Sequence, residues 1–99
     1  MKAKLLLKRK FTDGQGDLVE LVIWLVPVSP LYSDGVRYRL AFIPHGKTKP
    51  VVLYDNHHPK GHHKHLGDVE GPYGYVDIDR LLSDFEHDMR VWKARRFFL

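Results

Sequence analysis

Ninety-nine residues with 43% hydrophobic and 28% charged side chains describe one folded domain, residues 1–99, and argue against both a disordered chain and a multidomain one. The absence of cysteine excludes disulfide staples and thiolate metal sites, and the longest apolar run, Leu21 to Val28, is broken by Pro27 and far short of the roughly 20 residues of a membrane helix. Lys and Arg total 16 against 12 Asp and Glu, for a net charge of +4, and seven histidines add to it as pH falls; the expected partner is therefore anionic, nucleic acid before acidic protein.

The first residues hold three leucines between lysines, too few for the apolar stretch of a signal peptide, so the expected location is the cytoplasm. Lys4 to Phe11 reads as a strand, and the Thr12–Asp17 cluster with its Asp13-Gly14 pair reads as a hairpin turn. Leu18 to Val26 is almost continuously apolar, the pattern of a central strand covered on both faces. A loop rich in Pro, Ser, Asp and Gly follows. Val36 to Ile43 then alternates, with Val36, Tyr38, Leu40 and Phe42 on one face and Arg37 and Arg39 on the other. Val51 to Tyr54 is a short fourth strand, and Asp55 to Gly74, with four glycines, two prolines and no period, is expected to be a long loop.

The chain closes in a helix. Asp77 suits the N-cap, and Ile78, Leu81, Leu82, Phe85, Met89 and Trp92 recur at helical spacing as one apolar stripe destined for the core. Acids gather early and bases late along it, which complements the helix dipole. The expected fold is therefore α+β: an antiparallel β-sheet meander of about four strands packed against a C-terminal α-helix. Lys4, Lys8, Lys10, Arg37 and Arg39 are candidates for the sheet face that the helix leaves open. The apolar Leu18–Val26 strand and the terminal Phe97-Phe98-Leu99 are candidates for burial against a partner, either an antagonist protein or a second copy in a homodimer.

Five of the seven histidines fall within nine residues, His57, His58, His62, His63 and His65, with Lys60 and Lys64 among them. Three readings stay open. A metal centre would use the imidazoles as Zn²⁺, Ni²⁺ or Cu²⁺ ligands, although the spacing matches no signature and two lysines repel a cation. Metal-free cleavage of RNA needs a base for the 2′-hydroxyl, an acid for the leaving oxygen and cations around the phosphorus, and imidazoles beside lysines supply all three. A solvated loop that only docks on phosphates or on a partner is the third reading. Along an extended stretch, adjacent side chains point to opposite sides, so His62 and His63 are not expected to share a task, whereas His63 and His65 can.

Tyr54-Asp55-Asn56-His57-His58, then Lys60-Gly61-His62-His63-Lys64-His65, then the helix opening Asp77-Ile78-Asp79-Arg80-Leu81-Leu82-Ser83-Asp84-Phe85, resemble the TumE-like family. These are small prokaryotic toxins of type II toxin–antitoxin modules, encoded beside a helix-turn-helix antitoxin. The resemblance implies a toxin acting on RNA and silenced by a protein partner, and it matches Asp55, Asn56, His58, Gly61, His62, His63 and His65 to the family's pattern. The expectation is a metal-independent endoribonuclease without a cofactor. His58 and His62 are its first acid–base pair, with His63 and His65 in reserve. Asp55 would orient an imidazole, and Lys60, Lys64, Arg37 and Arg39 would hold the RNA.

Overall fold

The computed structural model describes residues 2–96. Six strands and one helix run in chain order: β1 Lys4–Thr12, β2 Leu18–Leu25, β3 Val36–Ile43, β4 Val52–Asp55, β5 His63–Leu66, β6 Val69–Pro72 and α1 Ile78–Arg96. The strands form one antiparallel sheet in sequence order, so every connection is to the neighbouring strand. The α+β meander with a C-terminal helix is the expected architecture, with six strands instead of about four. The two additional strands come from the segment expected to be a long loop. No described helix is long and apolar enough to cross a membrane.

β2 to β4 form for the reasons legible in their side chains, while β1 is held as an exposed edge by its pairing with β2. Alternation puts Val19 and Ile23 of β2, Val36, Tyr38, Leu40 and Phe42 of β3, and Val52 and Tyr54 of β4 on one face, where they are buried together with Leu81 and Phe85 of α1. Edge-to-face rings lock the layers: Phe85 lies 5.7 Å from Tyr54, and Trp92 lies 5.6 Å from Phe42. The Asp77 carboxylate accepts the Arg80 N–H at 2.8 Å, the N-cap bond that starts α1. The far end of the helix is held to the β1–β2 turn. There Asp17, fully buried, accepts two hydrogen bonds from the Arg96 guanidinium (2.9 and 2.7 Å) and one from the His45 N–H (2.9 Å), while Lys93 bonds Asp13. The Arg96 hydrogen bonds hold the Asp17 carboxyl down at about 2. Gly16 completes this turn at φ 83°, where any Cβ would meet the His45 ring at 2.9 Å.

The described chain itself covers only one face of β2. Val22 and Trp24 point away from the helix into an open cleft, and no other layer of the described chain lies on them. Their apolar character suits a surface that receives something else. The residues Phe97, Phe98 and Leu99, expected to be buried against a partner, lie outside the described residues.

β5 and β6 are built differently. His63-Lys64-His65-Leu66 and Val69-Glu70-Gly71-Pro72 show no apolar alternation, and they pair across the two-residue turn Gly67-Asp68. Gly67 takes φ 61° there, which a tight hairpin requires. Ladder bonds to β4 and the Gly67 N–H to the Val51 carbonyl (2.8 Å) tie the hairpin to the sheet, and the Tyr73 N–H to the His62 carbonyl (3.1 Å) closes its open end.

Candidate functional site

The start of β5 divides the histidines, with His62 just before the strand on one side and His63 and His65 within it on the other. Cross-strand partners share a face, so Lys64, opposite Tyr54, falls on the helix side, and its ammonium sits 3.3 Å from Asp88 and over the Tyr54 ring. His63 and His65 fall on the open side. Two transverse rows cross the sheet there. One runs Lys8, Val22, Arg39, Asp55, His63 and Pro72; the next runs Lys10, Glu20, Ala41, Leu53, His65 and Glu70. With strands about 4.8 Å apart, His63 lies roughly 10 Å from the Arg39 position and about twice that from Lys8.

The His63 and His65 rings stand 5.2 Å apart, nearly edge to face. His63 Nδ1 lies 2.8 Å from the Gly61 carbonyl oxygen, and because a carbonyl only accepts, Nδ1 carries the proton and Nε2 of the neutral ring keeps its lone pair. Glu70 Oε1 is the common neighbour, 2.7 Å from Lys60 Nζ, 3.6 Å from His65 Nε2 and 3.9 Å from His63 Nε2. Lys60 first, then His65 and His63, hold the Glu70 carboxyl below its ordinary range. Beside this cluster, Val22, Trp24, Arg37, Arg39, Asp55 and His57 line a cleft of about 350 Å³. Asp55 accepts the His57 backbone N–H at 2.6 Å.

The opposite side holds a different arrangement. His62 stacks flat on Tyr75, 4.6 Å between centroids, with the Tyr38 ring beside both at 5.6 and 6.0 Å. Tyr38 is buried, and burial pushes its phenol well above the ordinary value, so its O–H stays protonated and donates to His62 Nδ1 at 2.8 Å. His62 Nε2–H then donates to Asp34 at 2.7 Å. Both ring nitrogens are engaged. His58 and His62 do line one cavity of about 300 Å³, with Ser33 and Asp34, and His58 is exposed at its mouth. Asn56, from the same sequence motif, is buried: its amide accepts from the Tyr38 N–H and donates to the Val36 carbonyl, which anchors the segment after β4 to β3.

Of the residues singled out in the sequence, His63, His65, Lys60, Arg37, Arg39 and Asp55 come to one face, whereas His58, His62 and Lys64 belong to the other side. The carboxylates nearest the imidazoles, Asp34 and Glu70, escaped the sequence reading. Glu70 had a signal: Gly67-Asp68 read as a two-residue hairpin puts it opposite His65. Asp34, 28 residues before His62, had none.

The family model described as Toxin TumE matches residues 3–93, nearly the whole length, and the chain belongs to that family. No curated protein matches the chain, and no solved structure does.

Proposed function

From membership of a toxin family, which makes the chain the toxin of a toxin–antitoxin module with an antitoxin as partner, we propose that it is a metal-independent endoribonuclease acting in the cytoplasm on RNA laid across the open face of the sheet. The observation that carries this reading is the continuity of that face. Lys8, Lys10, Arg37 and Arg39 supply cations, Trp24 supplies a ring on which a base can stack, and both lead to the His63–His65 pair. The acid–base pair is taken as His63 and His65 rather than His58 and His62, because His62 already commits both ring nitrogens to Tyr38 and Asp34.

In the proposed step, His63 Nε2 takes the proton of a 2′-hydroxyl and the oxygen attacks the adjacent phosphorus. The bond from phosphorus to O5′ breaks, and His65 delivers a proton to that oxygen. The products are a 2′,3′-cyclic phosphate and a free 5′-hydroxyl. Each imidazole is worth about 10²–10⁴-fold in rate, and Lys60 and Arg39 offset charge on the phosphoryl oxygens.

The test is cleavage of mixed RNA by purified protein in excess chelator, with end-group analysis of the products. His65→Ala is expected to lower the rate by at least about 10²-fold, while Arg37→Ala with Arg39→Ala raises the RNA concentration needed for half-maximal rate. Equal rates for wild type and His65→Ala, with both folded by circular dichroism, would overturn the assignment. Cleavage abolished by chelator alone would move the reading to a metal-dependent one.

A further inference from the structure

We propose that His63, His65 and Glu70 form a binding site for a borderline divalent transition cation, for which Zn²⁺ is the probe, and that filling it silences the proposed cleavage. The three side chains offer donor atoms within 4.8 Å of one another. A tetrahedral ion with bonds of 2.0–2.1 Å places its ligand atoms about 3.3–3.4 Å apart. The two imidazole nitrogens already stand 3.6 and 3.9 Å from Glu70 Oε1 and all three donors lie within 4.8 Å of one another, so closure on an ion takes shifts of about half an ångström toward Glu70 and at most about 1.5 Å between the imidazoles, in side chains on a single hairpin. Two imidazoles and one carboxylate suit Zn²⁺ or its neighbours over Mg²⁺ or Ca²⁺, which prefer oxygen ligands.

Two further features fit a built site. The hairpin register fixes the set: His63 and His65 are two apart on β5, and Glu70 is the cross-strand partner of His65, so all three project from one face. His63, buried, also has its outward-facing tautomer set by the Nδ1–H bond to the Gly61 carbonyl, the kind of supporting bond that orients a ligating histidine. The Lys60 ammonium already occupies Glu70 at 2.7 Å. A cation must displace it, so Lys60 works against loading.

The silencing half rests on the proposed function, since one imidazole pair cannot both coordinate an ion and shuttle protons; the binding half does not. The experiment is a titration of the full-length, chelator-treated protein with ZnCl2 against a competing chromogenic chelator, followed by cleavage assays on the same samples. One equivalent is expected to bind. Glu70→Gln, isosteric and on an exposed strand, and His65→Ala should each weaken binding by about tenfold or more. Lys60→Gln should strengthen it, and His57→Ala with His58→Ala should leave it unchanged. Binding that survives both Glu70→Gln and His65→Ala, or that vanishes with His57 and His58, would show that the exposed histidines alone collect the ion and would overturn the site. Cleavage that continues in the saturated wild type would overturn the silencing. Metal-free protein without any cleavage would instead contradict the proposed function, with the site still judged by the titration.

Discussion

The two faces of the sheet are made of the same strands and obey opposite rules. On the helix side, Ile23, Leu40, Phe42, Val52 and Tyr54 are buried against α1, and the polar groups there are committed: Tyr54 to Asp88, Tyr73 to Asp84 at 2.6 Å, Tyr38 to His62. On the open side, Arg37 and Arg39 are exposed and Val22 and Trp24 are only half covered. β5 makes the contrast within four residues, since Lys64 joins the helix interface while His63 and His65 on either side of it lie on the open face. The difference teaches that position in a histidine-rich string says little about role; the parity of the position along the strand decides it.

The strongest way to test that contrast is to truncate one residue on each face. Phe85→Ala removes a ring packed on Tyr54 in the core and is expected to cost about 3–5 kcal/mol in urea unfolding. The charged face should show no comparable loss.

Acid stability is the second test. The folded Asp17 carboxyl sits at about 2, below its ordinary 3.8, so the stabilisation it gives is complete above 3.8 and is lost as pH falls from there toward 2. The loss amounts to about 2 kcal/mol over that window. Unfolding measured at pH 5 and pH 2 should show this fall in the wild type, and it should shrink in Asp17→Asn. An equal fall in both proteins would mean that the clamp between α1 and the β1–β2 turn does not govern the acid limb.

The smallest effect on stability is expected at the open face. Arg37→Ala with Arg39→Ala should shift unfolding by no more than about 0.5 kcal/mol per residue. On the proposed function, the same pair should flatten the salt dependence of RNA binding by about 0.7 per lost phosphate contact in the log–log slope. Normal salt dependence in that variant would remove the two arginines from the interface.

How much of this was legible follows from the same contrast. β2 to β4 and α1 bury alternating or helically spaced apolar residues, and that spacing is a one-dimensional pattern that can be read directly from Val36–Ile43 or from Leu81, Phe85 and Met89. β5 and β6 have no such pattern, because their strands are held by ladder bonds and by Lys60, His65 and Glu70 around one carboxylate rather than by apolar burial. The candidate site divided similarly. Composition located the histidines, and strand alternation anticipated that His62 and His63 part company. The partners that define each half, Asp34 for His62 and Glu70 for His65, come from other turns of the chain and needed the register of the sheet.

The two tryptophans offer the most direct measurement, because Trp24 lies on the open face and Trp92 packs edge-on against Phe42 on the helix side. Fluorescence is recorded during titration with 2′-O-methyl RNA, which binds but has no 2′-hydroxyl to be activated. In Trp92→Phe, where Trp24 alone reports, the emission should be quenched as bases stack on the ring; in Trp24→Phe it should hardly change. Quenching confined to Trp92, or absent from Trp24 while binding is shown by another probe, would contradict an RNA-binding role for the open face.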